Sequence, residues 1–563
     1  MSNRLAVQPL TRGAATLDGL RASGRSYSGT VASSYGTLDS LVSQPINLSG
    51  LSVNDQVYLS FAWQAGSIVG APNRNIGNTT VRLELFAKVS GGAWESVWVY
   101  RSVNQVTAFR QEVINLNQAK YLHGDFQFMF VATGNRSDNS DGFSVDYVVL
   151  DRGRARGMAD TTFVDFATSA GLKGLNPSGG LNSPLRRYAA MPVWQFNAAT
   201  PANSEITTRL GVNVSNLSAG VLPVPIGVVG TVRQAPNGAA LGTWAQRTKQ
   251  FTTVPRQDSV LGSPNRVAIP TTPEAKTMRY TLALNSQETN PHTLSNDTIS
   301  RDVELNNYYA YDDGTAENIT QLIPYSTGQA SAFAYRIDLN RPDYVRALRL
   351  YPVFTASDQA SRAVTINVWE DNGGKPALTA LATKTVVIPV SQASGAGQYV
   401  EIAFDQPVRV TGTFYVGYSQ PSQGRDLHYG LDLNNSFPPA HLWRRDNTGT
   451  WDTVSFVPRG TARRGALMMR AVMNNNVATA TAAARQAAAY SLYPNPARGS
   501  VTIVGPGFAR AAVLDAVGRT VWEQPKAQSG QATLVLPYLP AGVYTVRLTL
   551  ADGSTVGRRL LLE

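Results

Sequence analysis

The chain has 563 residues, 43% hydrophobic and only 15% charged, with 48 Gly, 31 Pro and a formal net charge of +11. That length exceeds one core and points to about three to five domains of roughly 100–150 residues, and the Gly and Pro content favours turn-rich β structure over helical bundles. The lack of cysteine excludes disulfides, thiolate metal sites and cysteine nucleophiles at once, and no run reaches the ~20 apolar residues of a spanning helix.

Taken in chain order, the first 150 residues read as strands. "VYLSFAW" places Val57, Leu59, Phe61 and Trp63 on one face and Tyr58, Ser60 and Ala62 on the other. "VRLELF" turns Val81, Leu83 and Leu85 inward, and "FQFMF" stacks Phe126, Phe128 and Phe130. Turn-rich stretches such as "GAPNRNIGNTT" separate them, which predicts a sandwich or jelly roll. "DRGRARGMAD" (151–160) reads as a basic linker. A second β-rich segment follows, with Met278, Tyr280, Leu282 and Leu284 sharing one face of "MRYTLALNS". A third opens at "NNYYAYDDGTAEN" and contains "AVTINVW", "QYVEIAF", "GTFYVGYSQ" and "GALMMRAVM". The expected layout is a jelly-roll-like (MAM/lectin-like) module at 1–151, an immunoglobulin-like β-sandwich at 160–305 and a second jelly-roll-like sandwich at 306–473. An Ala-rich linker at 474–490 and a small β-domain at 491–563 complete it. The fold class is all-β, a multidomain string of sandwiches.

The positive charge would draw polyanions, whether nucleic acid, acidic polysaccharide or lipopolysaccharide. The arginines are scattered, with only short pairs such as Arg186-Arg187 and Arg444-Arg445. They read as a solvated surface, and no nucleic-acid partner is expected.

Signals of catalysis are sparse. His123, His292, His428 and His441 are isolated, and there is no HExxH pair, GxSxG elbow or phosphate-cradling Gly-rich loop. With general bases this scarce, a non-enzyme is expected and no catalytic residue is assigned. Two acidic clusters admit two readings each. Asp138, Asp141 and Asp146 in "SDNSDGFSVDYVVLD" have the oxygen density of a Ca2+ site without the spacing of an EF-hand loop; equally, they form a turn ahead of a strand. Asp312, Asp313 and Glu317 beside Tyr308, Tyr309 and Tyr311 could hold Ca2+ or a sugar, or be a turn and a packed rim. Trp94 and Trp98, four apart, are expected on one strand face, as core or as a ligand platform, and Trp443 and Trp451 flank an apparent hairpin.

The tail is more specific. "SLYPNPARGSVTIV" places two prolines ahead of a β-branched strand. Asp515 and Gly518 then take the first and last places of a turn, followed by Arg519. In "LPAGVYTVRLTLADGSTVGRRLLLE", Tyr544, Val546, Leu548 and Leu550 alternate with polar residues, and Asp552-Gly553 signals a hairpin. The Tyr493-Pro494-Asn495-Pro496 start, the Asp515, Gly518 and Arg519 turn, Gly542 and Tyr544 at a strand start, and Arg558 and Arg559 before an aliphatic end resemble the type A C-terminal sorting domain of Bacteroidota type IX secretion substrates. The resemblance covers about an eighth of the chain.

The resemblance implies delivery rather than activity: a small β-sandwich that brings a periplasmic protein to the outer-membrane translocon and is then removed by a sortase-like peptidase. The protein is then released or attached to lipopolysaccharide, so its location is secreted or outer-membrane surface. The Ala-rich linker would be the natural cleavage point. The body, through "GAATLDGL", "VYLSFAWQ" and "NNYYAYDDGTAE", is similar to jelly-roll and sandwich modules of large Bacteroidota surface proteins. Such substrates carry a signal peptide, and "MSNRLAVQPLTRG" shows none, so the expectation is a start lying about 30–60 residues inside the natural one. The expected function is a secreted or cell-surface non-enzymatic protein for adhesion, ligand binding or structure. The alternatives are a carbohydrate-binding accessory protein and a hydrolase with an unrecognised site.

Overall fold

The computed structural model describes residues 5–21, 26–27, 35–160, 165–169, 172–174, 183–217, 225–250, 256–288, 290–322, 330–353, 362–389, 398–420, 428–454, 465–475, 489–524, 531–536, 538–550 and 555–563. It is 55% strand and 4% helix, and divides into two compact units, residues 1–473 and 474–563. Most of the expected linker, and the Asp552-Gly553 turn, lie outside the described residues.

The first unit begins with two facing four-stranded sheets. One runs Ala15–Leu17, Phe143–Asp151, Tyr58–Ala65, Arg110–Asn115; the other runs Tyr35–Val42, Phe128–Asn135, Arg82–Lys88, Trp94–Arg101. Leu59, Phe61 and Trp63 pack on Leu83, Leu85 and Phe130, all fully or almost fully buried, as their alternation predicts. The polar face of Tyr58–Ala65 is buried too. Arg154, from the expected linker, lies across it, donating to Ser60 Oγ at 2.8 Å and to Asp160 Oδ2 at 3.0 Å. Arg154 is therefore a covered strut rather than a solvated linker charge.

From Phe166 to Met473 one large apolar core runs through the remaining sheets of this unit, with smaller clusters beside it. A five-stranded sheet orders Ala190–Pro192, Thr298–Asn306, Lys276–Asn285, Pro225–Gln234 and Ala240–Gln250, and Met278, Tyr280, Leu282 and Leu284 all face inward from it. A six-stranded sheet orders Ala382–Ile388, Arg362–Glu370, Thr413–Ser419, Ala332–Asp338, Leu442–Arg445 and Trp451–Thr453. Tyr188 bridges the two regions, its ring 4.7 Å from that of Tyr309 and its hydroxyl donating to the Asp338 carbonyl at 3.1 Å.

The second unit is a small sandwich of its own. Ser491–Tyr493, Ser500–Val504 and Gln531–Val535 form one sheet; Thr520–Gln524, Arg510–Leu514, Gly542–Thr549 and Thr555–Leu562 form the other. Val501, Ile503, Leu534, Val513, Tyr544, Val546, Leu548, Val556 and Leu560 fill the space between them.

Candidate functional site

In the first acidic cluster each carboxylate has its own hydrogen-bond donors. Asp138 accepts from Ser140 N (2.9 Å), Ser140 Oγ (2.6 Å) and Asn135 Nδ2 (3.0 Å), which is turn chemistry. Asp141 is buried, which raises its pKa, and accepts from Asn73 N, Asn73 Nδ2 and Asn135 N at 2.8–3.0 Å. A Cβ on Gly134 would stand 2.7 Å from that of Asp141, so only glycine admits this approach. Asp146 instead bonds Tyr147 N (2.8 Å) and Thr11 Oγ1 (3.2 Å), and burial pushes its pKa up to about 6.

The second cluster gains members that the sequence reading missed. Asp312 pairs with Arg470, whose Nη2 lies 2.5 Å from Oδ1 and whose guanidinium stacks on the Tyr399 and Tyr308 rings at 4.4 and 5.1 Å. Asp313 caps Thr315 through N (3.0 Å) and Oγ1 (2.5 Å). Glu317 accepts from Leu433 N at 2.9 Å; burial, reinforced by the Asp313 charge, lifts its pKa to about 7. The missed residue is Asp432, fully buried, accepting from Asp313 N, Asn434 N, Asn435 N and Asn435 Nδ2 at 2.7–3.0 Å. Its pKa is driven well up by burial and then by Asp313 and Glu317. Arg301, half-buried alongside, donates to Asn435 Oδ1 at 2.8 Å. Among the described residues no group of three or more carboxylates or imidazoles is arranged to hold a metal ion.

The aromatic pairs separate. Trp98 sits opposite Leu85 and packs on Phe61 and Trp63, with ring centroids 5.1 and 5.2 Å away, whereas Trp94 is 38% exposed. The pairing register slips between Leu85 and Phe86, and that bulge breaks the alternation that would have put both rings on one face. Trp451 is buried edge-on against Trp369 at 5.2 Å, and Trp443 meets Tyr415 at 6.3 Å. Among the histidines, His441 is buried beside the Tyr311 hydroxyl (2.8 Å), and burial holds its pKa down at about 4.

In the second unit the quoted tail motifs meet in space. Asn495 reaches the last strand twice: Oδ1 accepts from Leu561 N at 2.8 Å and Nδ2 donates to the Arg559 carbonyl at 2.9 Å. Ala497 N and O then pair with Leu561 O and Glu563 N at 2.8 and 3.0 Å. The Tyr493 ring is half exposed and Pro494 and Pro496 are exposed, so this loop is displayed rather than packed. Asp515 organises its turn by accepting from Val517 N, Arg519 N and Arg519 Nε at 2.8–3.0 Å, while Gly518 N closes onto Asp515 O at 3.0 Å with φ +85°. Tyr544 is buried and donates to the Pro540 carbonyl at 2.9 Å, beside the half-buried Gly542. Arg558 Nε bonds the Tyr490 carbonyl at 2.8 Å, and Arg559 points its side chain to solvent.

Residues 491–563 match the family model described as the secretion system C-terminal sorting domain. The tail is a type IX secretion sorting domain. The sorting domain marks the protein for the type IX machinery and for the cell surface or the medium. Among the described residues no helix is long and apolar enough to cross a membrane. No curated protein matches the chain. Solved structures with some likeness include a putative β-galactosidase of Bacteroides fragilis, 10% identical, covering 56% of this chain and 37% of its own, with a TM-score of 0.20. The chain thus spans little more than a third of that enzyme. A biofilm-associated protein BSP domain is 11% identical, covers 95% and 98%, and has a TM-score of 0.13. The Bacteroides ovatus mixed-linkage glucan protein SGBP-B is 13% identical, covers 71% and 70%, and has a TM-score of 0.12. Overlaps this loose carry no argument about the body.

Proposed function

We propose that residues 1–473 form a non-catalytic surface module for adhesion or ligand binding, which the sorting domain delivers. The observation that supports this is how the titratable groups are used. Asp312 neutralises Arg470, Asp432 and Glu317 accept from backbone and side-chain donors, and His441 is buried beside Tyr311. A group committed to such a network is poorly placed to exchange protons with a substrate. The carbohydrate-binding alternative rests on Trp94, an exposed ring on an edge strand beside the Lys120–Glu95 ion pair (2.7 Å), since such a ring can stack on a sugar face.

The test is the full chain on arrays of polysaccharides and lipopolysaccharides, with and without EDTA, alongside W94A. Binding supports the ligand-binding reading, and its loss in W94A places a glycan on that edge. No binding under either condition leaves a structural role, and turnover of any arrayed polysaccharide overturns the non-catalytic reading.

A further inference from the structure

The strand Phe143–Asp151 slips register against Tyr58–Ala65 between Asp146 and Val149, and inside that bulge Tyr147 adopts φ +47°. A bulky side chain in the left-handed region is strained backbone that the surroundings must hold. Asp146 Oδ1 accepts from Tyr147 N within the sandwich at 2.8 Å, and the side chain is held from outside it. The Tyr147 hydroxyl donates to Asp165 Oδ2, the residue that leads into the strand Phe166–Thr168. Asn296 Nδ2 donates to the same oxygen at 2.8 Å, from the short helical turn Leu294–Asn296.

The carboxylates around this junction leave an incomplete set of partners. Glu288 accepts from Phe166 N (2.6 Å) and Thr293 Oγ1 (2.7 Å), and Asp297 Oδ2 accepts from Ser286 Oγ (2.7 Å). Three oxygens then remain with no donor: Asp165 Oδ1, Asn296 Oδ1 and Asp297 Oδ1. Their residues are 0%, 8% and 6% exposed. Buried polar oxygens are normally satisfied, and unpaired buried carboxylates are costly. Arg12 reaches this loop but donates to the Ser295 carbonyl, at 2.6 Å. A single cation that bonds oxygen would satisfy all three at once. Two carboxylates and a carboxamide in a partly irregular loop suit Ca2+, which takes six to eight oxygen ligands in flexible geometry and completes its shell with water.

We propose that Asp165, Asn296 and Asp297 are the protein ligands of a Ca2+ site that clasps the Tyr147 bulge of the N-terminal sandwich to the β region that follows it. The site is separate from both acidic clusters singled out in the sequence and does not depend on the adhesive reading. Ca2+ binding there joins segments 147, 165 and 296–297, so the folded body is stabilised in proportion to occupancy.

The experiment uses the full chain, stripped with EDTA and dialysed. Bound metal is measured by calorimetry and elemental analysis, and Tm with CaCl2, MgCl2 or neither. The expected result is about one Ca2+ per chain at this site and a Tm raised more by Ca2+ than by Mg2+. D165N and D297N, which preserve shape, are expected to weaken Ca2+ binding at least ~10-fold, while D138N/D313N leaves it unchanged. The proposal is overturned if the wild-type chain retains no Ca2+ and shows no Tm shift, or if binding persists undiminished in both D165N and D297N. Should one variant fail to fold, the other still locates the site, and a wild-type chain without Ca2+ overturns the proposal by itself.

Discussion

The Asn139 side chain donates through Nδ2 to the Glu317 carbonyl at 2.7 Å, across 178 residues of sequence. Both residues are buried, and close by Ile68 packs with Leu431 and Leu433 against Leu5 and Val7. The N-terminal sandwich is thus seated on the later part of the same unit. N139A leaves a buried carbonyl without its donor and is expected to cost about 1–2 kcal/mol. Urea denaturation of the full chain measures this, and an unchanged midpoint would show that the contact contributes nothing to stability in solution.

Glu317 also makes stability depend on pH. Its folded pKa is lifted to about 7 from an ordinary 4.5, chiefly by burial. A raised pKa means that the folded state favours the proton. The contribution is therefore fully present below about pH 4.5 and is lost as pH climbs through about 7, a swing on the order of 3 kcal/mol. E317Q is expected to flatten the fall in Tm between pH 5 and 7.5. An identical slope in wild type and E317Q would contradict this.

Arg470 and Asp312 form a buried pair in which each group needs the other. D312N strands the guanidinium between Tyr308 and Tyr399, and the expected loss is about 3 kcal/mol. R470K keeps the charge and loses the planar stacking, so it should fall between wild type and D312N. D312N/R470M is expected to recover part of the loss in a double-mutant cycle; additive losses would mean that the two groups are not coupled.

In the sorting domain, Asn495 fastens the Tyr493–Pro496 loop to the last strand through Leu561 N and Arg559 O, and N495A is expected to lower the stability of the domain by about 1 kcal/mol and reduce export. Y493F removes a hydroxyl whose contact is a 3.3 Å bond from Gln531, so the fold should hold. Fractionation of cells expressing each variant checks both, and full export of N495A would separate the fastening from the sorting role.

Legibility in the sequence followed range. Strand faces such as Leu59, Phe61 and Trp63, or Tyr544, Val546 and Leu548, were readable because alternation is a property of adjacent residues. The sorting domain was readable for the same reason, its motifs being short and ordered. The Trp94 and Trp98 pair failed because a single slip opposite Leu85 and Phe86 undoes the period of two. Asp432 was invisible beside Asp313 because 119 residues separate them, and Asp165 meets Asn296 across 131. Local acidic density marked turns; the buried carboxylate networks arise only from tertiary pairing.

The division of labour is that residues 491–563 carry the export address and residues 1–473 are the part delivered. It is tested most directly by fractionating the native organism expressing the chain with and without residues 491–563. The full chain is expected to reach the cell surface or medium, and the truncated chain to stay in the periplasm. Export of the truncated chain at the full-length level would contradict it.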